Sequence, residues 1–136
     1  MELAADYGLA ADGDGVVGAL ERLGDGPMTV VNQFVLRDEA EYTDRETCSG
    51  VEAMLRYSAA SRARFESVGG RFVAQALPTG VAWGDTSDGD WDLVVVAAYP
   101  NVDAFWALLA DPEYRAAFVH RRAAVARQRV TVGATL

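Results

Sequence analysis

A chain of 136 residues and 14.6 kDa makes one domain, long enough for a single core and small enough to gain from dimerisation. Twelve basic residues against twenty acidic ones leave a net charge of −8, which argues against nucleic acid as a partner, because phosphate binding needs a concentrated basic surface. No apolar run approaches the ~20 residues of a membrane span, Met1-Glu2 opens without a basic leader, and the single Cys48 has no internal disulfide partner, so a cytoplasmic protein is expected.

Residues 1–27, rich in Gly, Ala and Asp, read as a flexible lead-in with one short helix from Gly15 to Leu23, stopped by Gly24-Asp25-Gly26-Pro27. The remaining residues, 28–136, read as a single α+β domain. Met28 to Leu36 is a strand with Val30, Val31, Phe34 and Val35 on both faces, which implies cover on both sides. Asn32 and Gln33 interrupt those two faces. Ser49 with Glu52 forms a capping box that opens a long helix, and Gly69-Gly70 ends it. Val51, Met54, Leu55, Ser58, Phe65 and Val68 make its expected stripe.

Arg71 to Leu77 reads as a second strand, broken near Pro78 and continuing through Val81-Ala82-Trp83. An Asp-rich turn leads to a central strand from Trp91 to Tyr99. Pro100-Asn101 begins a helix carrying Phe105 and Trp106. Asp111 caps the next, with Pro112 at its first position, and Tyr114, Phe118, Arg121 and Val125 share one face of it. Val130, Val132, Ala134 and Leu136 alternate in a last strand. The order β-α-β-β-α-(α)-β is the split βαβ arrangement of a ferredoxin-like fold. Strands apolar on both faces then suggest a homodimer whose two sheets face each other as a barrel.

Three patterns read as structure. Gly13-Asp14-Gly15-Val16-Val17-Gly18 matches G-x-G-x-x-G, but no strand precedes it and Asp14 would repel a pyrophosphate. Asp85, Asp88, Asp90 and Asp92 run straight into a strand, without the flanking helices of a calcium loop. With one histidine and one cysteine, a transition-metal site is not expected. Cys48, at a helix start, reads as an incidental loop residue.

The polar residues that break the apolar pattern carry the functional expectation. His120 titrates near neutrality and suits proton transfer, or a bond to a helix-terminal carbonyl. Asn32 inside a strand needs partners, from a ligand carbonyl or the backbone. Arg37, at the strand end, suits a carboxylate clamp or a surface ion pair. Tyr42, Tyr57, Tyr114, Trp83 and Trp106 line a cavity or pack as core.

Asn32-Gln33-Phe34-Val35-Leu36-Arg37 resembles the N-L-x-x-F-R strand of the DUF1330 family, small dimeric α/β-barrel proteins mostly of unknown function. Ala40-Glu41-Tyr42, Ser49-Gly50, Gly69-Gly70-Arg71, Trp91-Asp92, Tyr99-Pro100, Ala104-Phe105, Asp111-Pro112-Glu113-Tyr114 and His120-Arg121 follow in the family's order. Four positions depart from it. Arg127-Gln128-Arg129 stands where the family usually has Asp-Ser-Arg, Leu36 replaces an aromatic and Gln33 an aliphatic residue. The resemblance implies the fold, the dimer and the place of the pocket. Its wider superfamily holds cofactor-free monooxygenases, cyclases, isomerases, dehydratases, haem-handling enzymes and simple binders, among which fold does not choose.

The leading expectation is a cofactor-independent enzyme acting by proton transfer on a small, mostly apolar carbonyl-bearing metabolite, of the cyclase, isomerase or dehydratase type, in natural-product biosynthesis. His120 would move the proton, Asn32 would polarise an oxygen, and Arg37 or Arg121 would balance negative charge. Tyr57, Trp83, Trp106, Tyr114 and Gln33 would contact the substrate. The alternative is a non-catalytic homodimer that binds a metabolite or serves as an accessory protein. Haem on His120 is a more distant reading.

Overall fold

The computed structural model describes residue 7, residues 14–45 and residues 47–136. Residues 1–6 and 8–13 of the expected flexible lead-in, with Gly13 of the glycine pattern, lie outside the described residues. Among the described residues the chain runs α1 (Asp14–Glu21), β1 (Met28–Leu36), α2 (Gly50–Ser67), β2 (Arg71–Ala76), β3 (Leu93–Tyr99), α3 (Val102–Ala110), α4 (Pro112–Ala124), β4 (Val125–Ala134).

The four strands form one antiparallel sheet in the order β2-β3-β1-β4, the ferredoxin-like arrangement. Val31 pairs with Val96 and Asn32 with Val95 across β1 and β3, so alternation sets the face of every neighbour. Val30, Asn32 and Phe34 look toward the helices, whereas Val31, Gln33 and Val35 look away. The core fills the helix side. Met28, Val30, Tyr99, Leu108 and Phe118 are buried in one cluster, and Phe34, Met54 and Val125 anchor a second. Tyr7 closes the first cluster: its hydroxyl donates to the Leu109 carbonyl and its ring meets Phe118 edge-on at 4.7 Å.

Caps decide where α2 begins and ends. Ser49 accepts from the Glu52 N–H at 3.0 Å. At the other end Gly69, at φ +88°, lets the Gly69 and Gly70 N–H groups bond the carbonyls of Glu66 and Phe65, a Schellman closure. Gly50 answers a different need. A Cβ there would sit 2.0 Å from the Arg37 carbonyl oxygen, so only glycine lets α2 start against the end of β1. Asp111 caps α4, accepting from the N–H groups of Glu113 at 2.8 Å and Tyr114 at 3.1 Å.

Four expectations need correction. The stripe of α2 is divided: Met54 and Phe65 are buried, but Val51 and Leu55 are 57% and 64% exposed. The second strand ends at Ala76 and does not resume. Pro78 has no N–H to offer a ladder, and Val81 and Trp83 lie exposed in the connection to β3. The central strand starts at Leu93, not Trp91, because Asp92 closes the strand end instead: its N–H donates to the Phe34 carbonyl and its carboxylate accepts from the Leu36 N–H. The last strand starts at Val125, five positions early, because Arg127 and Arg129 hold it to the Asp-rich turn. Arg127 lies 4.2 Å from the Trp91 ring centroid and donates to the Asp90 carbonyl, and Arg129 pairs with Asp88 at 2.7 Å. The calcium-like run therefore ties the β2–β3 connection to β4 and β1.

Candidate functional site

A cavity of about 1100 Å³ lies between the helix-facing side of the sheet and α1, α2, α3 and α4. Its floor is Val30, Asn32, Phe34, Val95, Val130 and Val132 from the strands, and its rim carries the largely exposed Leu55 and Leu77. Most of this wall is apolar, as sites for small molecules are. Of the polar lining residues, Asn32, Tyr57 and Gln128 converge on one side chain.

That side chain is Arg121, on the inner face of α4 with Tyr114 and Phe118. It is only 8% exposed. Nη1 donates to the Tyr57 hydroxyl at 3.3 Å, and Nη2 to Asn32 Oδ1 at 3.3 Å and Gln128 Oε1 at 2.9 Å. The guanidinium carbon lies 4.7 Å from the Phe34 ring centroid and 5.1 Å from that of Phe118, a cation–π setting. Nε is buried without a partner. Asn32 is held from behind, its amide donating to the Val95 carbonyl at 3.1 Å, which aims Oδ1 at the arginine. Tyr57 from α2 and Tyr114 from α4 share a hydrogen bond of 2.7 Å. Burial, reinforced by the neighbouring Tyr57, pushes the Tyr114 phenol well above its ordinary value, so Tyr114 stays protonated through the neutral range.

Of the residues expected from sequence, Asn32, Arg121, Tyr57 and Tyr114 meet here. Arg37 lines the same cavity at its edge, where Nη1 pairs with Glu41 at 3.0 Å. His120 does not line it. It lies on another side of α4, where Nδ1 and the Tyr42 hydroxyl are 2.6 Å apart. Burial, then the nearby Arg45 and Arg56 cations, lower its pKa. The helical step of 100° between neighbours explains the split: His120 and Arg121 cannot share a face. Gln33 points to the opposite side of the sheet, opposite Val94 and Arg129 in its two partner strands. Trp83 is 90% exposed and Trp106 packs into the core without lining the cavity. Gln128 joins the site although the sequence does not single it out as a candidate. It faces the arginine because β4 begins early enough to place it opposite Phe34, and its departure from the family pattern is the one sequence signal at this position.

Among the described residues no cluster of His, Cys, Asp and Glu is arranged to hold a metal ion, and no helix is long and apolar enough to cross a membrane.

Sheet order, helix placement and a cavity closed by α2 and α4 define a ferredoxin-like α+β protein. Its sequence belongs to the family of DUF1330, a domain of unknown function, matched over residues 45–135. The chain is similar in structure to the protein RPA0582 of Rhodopseudomonas palustris, of unknown function, with 34% identity, TM-score 0.81, and 90% of this chain and 92% of that one covered. It shares its fold with a dimeric ferredoxin-like protein of unknown function from Bacteroides fragilis, with 15% identity, TM-score 0.52, and 80% and 96% of the two chains covered. A dimeric ferredoxin-like protein of unknown function from Thermobifida fusca has 19% identity and TM-score 0.50, with 83% and 94% covered. No curated protein matches the chain.

Proposed function

We propose that this protein is a homodimer that takes a small, mostly apolar, oxygen-bearing metabolite into the cavity between its sheet and its helices. The observation that carries the reading is the cavity: about 1100 Å³ of mostly apolar wall, with Tyr57, Asn32 and Gln128 gathered around a buried Arg121. A pocket built only for packing would not set a guanidinium and three polar side chains beside open space. The dimer is supported by the sheet face turned away from the helices, where Val31, Val35, Val94 and Val96 remain half-buried and no described helix lies over them.

One further observation favours catalysis over simple binding, namely the phenol held against a cation. Tyr57 Oη lies 3.3 Å from Arg121 Nη1 and 2.7 Å from Tyr114 Oη. In the enzyme reading Tyr57 donates its proton to a substrate carbonyl oxygen and takes it back when that oxygen is released; a hydrogen bond from the Tyr114 hydroxyl supports the transient phenolate, and Arg121, oriented by Asn32, stabilises the charge that develops. This is the step that cofactor-free cyclisation, isomerisation and dehydration share. It passes to Tyr57 the proton transfer that the sequence suggested for His120. The test is Tyr57→Phe assayed on the identified substrate: kcat should fall by roughly 10²-fold or more, with KM changing less. Unchanged kcat would leave binding as the function.

A further inference from the structure

Arg121 is a fully charged guanidinium at any pH at which the fold persists. It is only 8% exposed, yet none of its partners among the described residues carries a negative charge. Tyr57, Asn32 and Gln128 supply neutral oxygens, and Nε has no partner. The arginines that pair with carboxylates among the described residues are others: Arg64 with Asp111, Arg37 with Glu41, Arg129 with Asp88, Arg45 with Asp44, Arg56 with Glu52 and Arg62 with Glu66. The two aspartates that line the cavity, Asp38 and Asp92, are exposed and neither bonds Arg121, Asp92 being engaged by the Leu36 N–H. A buried charge without a counter-charge is strongly unfavourable, and proteins normally compensate it.

We infer that the counter-charge is brought by the ligand: the cavity takes a small apolar molecule bearing a carboxylate, whose head group pairs with Arg121. The inference rests on the cavity being a ligand site. The geometry suits it. Arg121 lines the apolar cavity from its inner wall, so a carboxylate at the guanidinium leaves the rest of the molecule against Val30, Val95 and Val132. Gln128 tunes the site, since its neutral amide accepts from Nη2 where a carboxylate side chain would neutralise the cation internally.

Matched probes test this by calorimetry on the full chain at pH 7: decanoate, decanamide and acetate. Decanoate should bind at least tenfold more tightly than decanamide, its neutral counterpart, and than acetate, the same head group without a tail. Gln128→Glu should bring the decanoate-to-decanamide ratio below threefold while decanamide affinity stays within threefold. Arg121→Met should erase the ratio too, with an unliganded melting temperature equal to or above that of the parent. Equal binding of decanoate and decanamide to the parent chain would overturn the carboxylate inference and leave the cavity reading intact. Acetate matching decanoate would reduce the site to one for any small anion and overturn the inference. Full preference surviving in Gln128→Glu would detach it from Arg121. Binding of neither long-chain probe would overturn the cavity reading itself.

Discussion

Asn32 and Arg121 are 89 positions apart and meet at 3.3 Å, each supplying what the other lacks. A carboxamide inside a strand has to find a donor, and a guanidinium facing a core has to find acceptors. That conflict with local propensity was visible in the sequence, and it is why Asn32 and Arg121 were legible as site residues. His120 was singled out on intrinsic pKa alone, a property that says nothing of which helical face a residue occupies. Its surroundings now make a different prediction. Tyr42, Arg45 and Arg56 cluster around it with Asp44 nearby, and its pKa is lowered in the folded state. The unfolded chain therefore binds the His120 proton more readily, and stability contributed here is present above the unfolded value near 6.5 and is lost as pH falls through the folded value. Thermal melts between pH 7.5 and pH 5 should show the parent losing more stability than His120→Gln, with decanoate affinity at pH 7 the same in both. Parallel pH dependences would mean that His120 does not contribute to the pH dependence of stability.

At the level of elements, caps and glycines do the positioning. Arg64 from α2 bonds Asp111 at the start of α4 through Nε at 2.7 Å, tying together the two helices that roof the cavity. Burial opposes ionisation of Asp111, but the bonds from Arg64 and from the N–H groups of Tyr114 and Glu113 outweigh it and hold its pKa below the usual carboxylate value. Asp111→Ala should cost about 1–2 kcal/mol by loss of the cap. Gly50→Ala should cost about 2–3 kcal/mol, because the contact is with backbone that cannot step aside. Urea melts measure both, and a Gly50→Ala variant as stable as the parent would mean that α2 can shift away from β1. These signals were legible: Ser49, Gly69-Gly70 and Asp111-Pro112 marked the helix ends to within a residue or two. The strand ends were not. Arg127, Gln128 and Arg129 look like a polar break until Trp91, Asp90 and Asp88 are placed beside them, and those contacts depend on tertiary structure. Likewise Val81 and Trp83 have strand-like character but no neighbouring strand to pair with.

For the whole molecule, order of elements and apolar content were enough to reach the ferredoxin-like fold, because few topologies satisfy that order. The cavity was only implied: its volume depends on how far α2 stands from the sheet, which residue types alone do not determine. The two apolar layers of the sheet have separate uses in this account, one lining the cavity and the other meeting a second copy. Val96→Glu, on the face turned away from the helices, should convert the proposed dimer to a monomer in analytical ultracentrifugation without altering the melt of the cavity-facing core. A dimer that survives the change would move the interface elsewhere.

The most direct measurement of the central claim is non-denaturing mass spectrometry of the untagged full chain purified from its own host, beside a Val130→Trp variant that fills the cavity floor next to Asn32. The account predicts a species near twice 14.6 kDa carrying added small-molecule mass in the parent, and the same dimer without that mass in the variant. A bare monomer, or an adduct retained unchanged by Val130→Trp, would contradict it.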